Sequence, residues 1–158
     1  MIPINDLIIH AARLGEIAVL QELVQHGADV NVKDGKGYTP LIVACYNEQF
    51  EAAKLLLENG ADVNAADNGG NTALMGVSFK GYPEIATLLI QHGADLNLQH
   101  GNGGSALMFA TIFGRNKLVK LLLQHGADKT LRDSRGLTAL DLAFQQDNDE
   151  AISLLQED

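Results

Sequence analysis

Five histidines, one cysteine and a recurring aspartate are the side chains of this sequence that could do chemistry. His26, His92 and His125 stand in one short phrase, His-Gly-Ala-Asp, and three histidines make a zinc-ligand set if they converge. Convergence means every donor nitrogen within about 2 Å of the same ion. Cys45 would serve as a nucleophile if an imidazole stood beside it to take its proton. Asp29, Asp62, Asp95 and Asp128 could work as general acid and base if two of them were brought face to face. The glycine-rich stretches Asn68-Gly69-Gly70-Asn71 and Gly101-Asn102-Gly103-Gly104 could cradle a phosphate if each led into a helix N-terminus within a nucleotide-binding unit. Every one of these conditions depends on the elements that carry the residues.

Those elements repeat. Gly27, Gly60, Gly93 and Gly126, each inside His/Asn-Gly-Ala-Asp, are separated by 33 residues every time. Thr39-Pro40-Leu41, Thr72-Ala73-Leu74, Ser105-Ala106-Leu107 and Thr138-Ala139-Leu140 keep the same register. Two independent phrases sharing one period across four copies define a repeat architecture. Within a unit, the Thr or Ser hydroxyl sits where an N-cap would accept the first free helix amides, and Pro40 takes the first helical position, where a missing N–H does no harm. A short apolar helix follows and breaks at Gly15, Glu48, Gly81, Gly114 or Asp147. The second helix carries apolar residues at helical spacing, as in Phe50, Ala53, Leu56 and Leu57, or Ile85, Leu88, Leu89 and Ile90. The next glycine, Gly60 or Gly93, is the expected left-handed residue after its end. Helices of seven to ten residues do not survive alone, so stacked neighbours must bury their faces.

The register disposes of the chemistry. Histidines at one repeat position are set apart by stacking at roughly 10 Å per unit, too far to share an ion. Their expected work is at the C-terminal ends of second helices, where an imidazole meets free carbonyls. His10 falls in the first helix, and His100 replaces the Asp that otherwise begins the turn. Cys45 has no histidine at a matching position and reads as a small packed residue. The repeated Asp belongs to turn structure. The glycine-rich stretches follow no strand and lack a lysine at the right place, so they read as turns that need positive φ. No metal, cofactor or catalytic group is expected.

Composition narrows the rest. The chain has 158 residues, 46% hydrophobic and 20% charged, which is globular rather than disordered. A single cysteine excludes an internal disulfide framework. No apolar run is long enough to span a bilayer, and Asp6 stands where a signal peptide would be apolar, so a cytoplasmic location is expected. A formal charge of −9 repels phosphate and argues against nucleic-acid binding. The balance is uneven: residues 115–135 are net positive, with Arg115, Lys117 and Lys120 expected on a second helix, while no basic residue follows Arg135.

Asp34, Gly37, Thr39-Pro40-Leu41 and Gly60-Ala61-Asp62-Val63-Asn64 resemble the ankyrin-repeat family phrase, and the resemblance covers practically the whole chain. It implies an all-α solenoid: antiparallel helix pairs stacked in an L-shaped array, with hairpin turns projecting as fingers. Five units are expected, 1–33, 34–66, 67–99, 100–132 and 133–158, in a single domain. The family's usual His after Thr-Pro-Leu is here Ile42, Met75, Met108 or Asp141, so apolar packing is expected to replace its hydrogen bonds. Polar Glu22, where later units have Leu55, Leu88, Leu121 and Leu154, reads as an N-terminal cap. The last unit, ending in Gln156-Glu157-Asp158, reads as the closing cap of a complete array. The resemblance also makes Asn31, Asn64 and Asn97 candidates for hydroxylation, beside their hairpin role.

The resemblance implies partner binding on a concave face built from fingers and first helices. There the position after the small-residue pair carries Arg13, Tyr46, Phe79, Ile112 and Gln145, with Phe113 beside Ile112 and Tyr38 on the adjacent finger. At roughly 10 Å per unit the apolar members form a stripe about 20 Å long, the kind of aromatic patch that anchors interfaces. The other reading is that the rings lie flat as peripheral core. Lys36, Asn47, Asn71, Lys80, Asn102, Arg135 and Leu137 flank the stripe and complete the expected partner-binding set. The function expected is a non-catalytic scaffold that binds a protein, basic if the net charge selects it. A narrower form is an inhibitor or immunity protein occluding a toxin or enzyme. The rival readings are a small-ligand protein or enzyme with a site in a finger cleft, and a homodimer that covers the stripe.

Overall fold

The computed structural model describes residues 2–157. Among them, ten helices make up the regular structure, apart from one isolated bridge between Ala66 and Thr72. The first helices of successive units are α1 (Ile4–Leu14), α3 (Pro40–Tyr46), α5 (Ala73–Lys80), α7 (Ala106–Ile112) and α9 (Ala139–Gln145). Helix α1 enters from Pro3 with no side-chain cap, but the others start on the expected hydroxyls. Thr39 accepts the Ile42 amide at 3.1 Å, Thr72 that of Met75 and Ser105 that of Met108 at 3.3 Å, and Thr138 that of Asp141 at 3.2 Å. The second helices are α2 (Ile17–Gln25), α4 (Phe50–Glu58), α6 (Pro83–Gln91), α8 (Asn116–Gln124) and α10 (Asp149–Gln156).

Each pair turns through one left-handed residue. Gly15, Gly81 and Gly114 hold it at φ 69°, 85° and 69°, and Glu48 and Asp147 hold it at 58° and 50° without being glycine. The second helices then close as their sequence suggests. His26, His92 and His125 donate from Nδ1 to the carbonyls of Glu22, Leu88 and Leu121 at 2.8–2.9 Å, and Asn59 Nδ2 does the same for Leu55. The following glycines are left-handed, and the amide beyond reaches back, as Ala28 N does to Leu23 O at 3.0 Å.

The pairs stack in two layers: α1, α3, α5, α7 and α9 pack in sequence, and α2, α4, α6, α8 and α10 pack behind them. The seam of the inner layer is a column of small side chains, Ala12, Cys45, Ser78 and Thr111, each with no exposed surface. The two hydroxyls are satisfied inside their own helices, Ser78 Oγ donating to Leu74 O at 2.7 Å and Thr111 Oγ1 to Leu107 O at 2.8 Å. Ile42, Met75 and Met108 are buried, so apolar packing does stand in at that position. Asp141 does not join them. Its carboxylate accepts the Thr138 amide at 2.9 Å, completing a reciprocal cap at the start of α9.

Polar ladders run along the array beside this core. Asn31, Asn64 and Asn97 each accept the backbone amide one unit ahead, of Asp62, Asp95 and Asp128, at 2.7–2.8 Å. Thr130 cannot continue the series and bonds its own turn at Asp128. The fingers are joined by backbone bonds as well: Asn68 N to Lys36 O, Gly101 N to Gly69 O and Ser134 N to Asn102 O, at 2.9–3.0 Å.

The two ends differ from the cap expectation. Glu22 is exposed at the first unit, but so is Val19, whose counterparts Ala52, Ile85, Leu118 and Ala151 are all buried. This face of α2 is therefore partly apolar, with no described element packed over it. At the other end the small-residue column finishes in Phe144, which is 52% exposed.

Two stability measurements follow. Asn64→Ala removes a bond between units and should lower the urea unfolding free energy by about 1 kcal/mol, with Thr130→Ala costing clearly less. Glu48→Gly and Asp147→Gly relieve a left-handed side-chain penalty that exceeds the added chain entropy of glycine, so each should raise stability by about 0.5–1 kcal/mol.

Candidate functional site

The first helices end in a line of rings. Tyr46 and Phe79 lie nearly parallel, 8° apart with centroids 6.1 Å from one another, and Phe113 meets Phe79 edge-on at 4.4 Å and 75°. Tyr46 is 42% exposed and Phe113 45%, while Phe79 is half-buried between them. The rings thus partly cover one another and still offer a common open face. The stripe is more compact than the unit spacing suggested, because the side chains lean across the seams. Aromatic pairs favour parallel-offset and edge-on contact at such separations. Ile112 is not part of the stripe. It is half-buried and faces a different hollow.

Charged groups frame the line. Lys80 Nζ stands 5.0 Å from the Tyr46 centroid, a cation over a ring face. Arg115, expected on the outer surface of the fourth unit, instead precedes α8 and donates from Nε to the Phe79 carbonyl at 3.0 Å. Its chain lies over Gly81, where a Cβ would come within 2.8 Å. Gln49 does the equivalent one seam earlier, donating from Nε2 to Arg13 O at 3.2 Å above Gly15. Lys117 and Lys120 are exposed on α8, where the sequence placed them.

Two hollows open between the rings and the fingers. The larger, about 400 Å³, has Ile42, Val43, Met75 and Gly76 for a floor and is walled by Tyr38 and Asn71 on one side, Tyr46, Asn47 and Phe79 on the other. Arg13 stands at its edge. Asp67 lines it too, but that carboxylate is occupied by the amides of Gly69 and Asn71 at 2.8 and 2.9 Å. The smaller, about 300 Å³, lies between the fourth and fifth fingers and includes Asn102, Phe109, Ile112 and Arg135. Phe109 borders both. Lys36 is exposed but lines neither; its amide is held by Asp34 at 2.9 Å. Leu137 also lines neither, being half-buried against the core. Arg135 is tied to Asp133 at 2.9 Å.

Sequence reasoning overlooked Phe109. Shifting Val43 forward by whole units gives Gly76, Phe109 and Leu142, a column that borders the two hollows throughout. The 33-residue register holds that information, one turn before the Tyr46, Phe79 and Ile112 column.

Chemistry finds little to work with. Among the described residues no group of three His, Cys, Asp or Glu could hold a metal ion, and no helix is long and apolar enough to cross a membrane. Cys45 is fully buried, and desolvation pushes its thiol far above the ordinary range, which leaves it inert as a nucleophile.

The sequence matches the family model for ankyrin repeats in three copies, over residues 7–100 and again over 74–158. It is 43% identical over 53 residues to an ankyrin repeat protein of Fowlpox virus (strain NVSL), a match covering 33% of this chain and 9% of that protein. The chain thus spans less than a tenth of the length of this relative. Ankyrin repeats are generally protein–protein interaction modules and typically non-catalytic. With its helix pairs, fingers and 33-residue period matched end on end by that family model, the chain belongs to the ankyrin-repeat family.

Proposed function

We propose that this protein is a non-catalytic binding scaffold whose single five-unit array takes a protein partner on the face made by the fingers and the ends of the first helices. The observation that carries the reading is the larger hollow. It is an apolar recess lined by Tyr46, which is 42% exposed, and by Phe79, on which the exposed Phe113 packs edge-on. An interface of ordinary strength is organised around such an anchor site, with polar groups at its rim. The recess suits an apolar side chain of the partner rather than a cation, because Arg13 is among its lining residues and the Asp67 carboxylate already accepts two amides. A rigid, internally bonded finger row favours binding, since little chain entropy is lost when the partner docks.

The net charge of −9 favours a narrower form, in which the scaffold occludes a basic enzyme or toxin. Lys36, Asn102, Arg135 and Leu137 belong to its outer contacts, and the cytoplasm is where it works. Self-association through the same rings is the rival, and it predicts a doubled mass in solution.

The test is capture from a lysate of the native source by the wild type and by a Tyr46→Ser/Phe113→Ser double variant. Both rings are largely exposed, so the variant should keep the wild-type circular dichroism spectrum. A partner retained by the wild type should be lost by the variant, since anchor truncations cost about 2 kcal/mol or more each, roughly 30-fold. A Lys117→Ser/Lys120→Ser variant on α8 should capture normally. Equal capture by wild type and ring variant would place binding elsewhere.

A further inference from the structure

Of the fingers that open units two to five, numbered by their units, three are closed by an aspartate and one is not. Asp34 accepts the amides of Lys36 and Tyr38, Asp67 those of Gly69 and Asn71, and Asp133 those of Arg135 and Leu137, all within 3.0 Å. In the fourth finger His100 takes this place, and the Asn102 amide donates to its Nδ1 at 3.1 Å. The ring leans over Gly104, where a Cβ would lie 2.6 Å from Nε2, and rests on Phe109 with centroids 5.0 Å apart. An imidazole accepts at Nδ1 only while that nitrogen is unprotonated. This side-chain bond therefore exists only in the neutral form, whereas the backbone bonds of the turn, Gly103 N to His100 O at 2.7 Å and His100 N to Gly104 O at 3.0 Å, do not depend on the ring.

We propose that the fourth finger is a proton-sensitive element: protonation of His100 converts Nδ1 from acceptor to donor and opposes it to the Asn102 amide, while the ring stays seated on Phe109. The consequence reaches the smaller hollow, which both rings line. The charged groups facing His100 there come from the fifth finger, Asp133 and its partner Arg135. Helices α7 and α9 present Met108, Phe109, Ile112 and Leu142, none of which titrates. The third finger approaches through the backbone of Gly69 and Gly70, with Asp67 bonded to its own turn. Asp133 stays ionised, because the Leu137 and Arg135 contacts hold its carboxyl below the usual range. Glycines at 101, 103 and 104 give the turn room to respond, while its backbone bonds to the third and fifth fingers persist.

The Asn102 contact is thus made while the His100 ring is neutral and lost once it is protonated, with the backbone bonds of the turn kept.

Amide spectra of the isotope-labelled full chain, recorded from pH 8 to 5, test it without a partner. The Asn102 amide should shift and lose its exchange protection with the same midpoint as the His100 ring carbons, while the Lys36, Gly69 and Arg135 amides stay fixed. In His100→Asp the Asn102 amide should hold its position across the whole interval. A His100 ring that titrates without moving Asn102 would overturn the proposal. So would a ring that stays neutral to pH 5, or amides of all four fingers moving together. The wild-type titration decides the matter even if the substituted chain folds poorly.

Discussion

The first helices approach one another closely because Ala12, Cys45, Ser78 and Thr111 are small and wholly enclosed. Helices of seven to eleven residues have too few internal bonds to persist in water, so contact across this seam is what makes them helices at all. The seam also limits what the column can hold. A hydroxyl is admitted there only when it bonds back into its own helix, as Ser78 and Thr111 do, since a buried polar group without a partner is costly. Small residues at the seam thus set the spacing, and the spacing sets where fingers and rings fall.

Polar contacts then fix how each unit sits on the last. The asparagine amides, the finger-to-finger backbone bonds, and the reciprocal pair between Asn116 and Asn148 at 2.8 and 3.0 Å occupy different sides of the array. Apolar packing alone is non-directional and would tolerate sliding. Bonds at several places around the seam do not, which is how a binding face made from short, separate elements keeps one shape.

Much of this was legible in the residue order. The period, the Thr and Ser caps and the helix-ending histidines follow from spacing and local chemistry, and the apolar replacement at Ile42, Met75 and Met108 follows from the family resemblance. Asp141 was misread in company, because its position predicts apolar packing and only its own reciprocal bond to Thr138 overrides that. The compact ring line was not legible, since spacing fixes where a Cα lies and not which way a long side chain leans across a seam. Arg115 illustrates the same limit: it sits beside a helix of the outer layer, yet its guanidinium reaches the end of α5. The exposed Val19 shows that a pattern of polar substitution at one position, Glu22, does not describe a whole face.

Phe144 carries a consequence for how such an array can change length. At every inner seam its column holds a residue no larger than threonine, and the space is filled. A duplicated copy of the second, third or fourth unit brings a compatible side chain with it and can be spliced into the interior. A duplicated copy of the fifth brings a phenylalanine to a seam sized for a methyl or a hydroxyl, and overpacking of that kind forces backbone shifts. Gain and loss of units by recombination is therefore asymmetric: the second, third and fourth units are interchangeable, and the fifth is not.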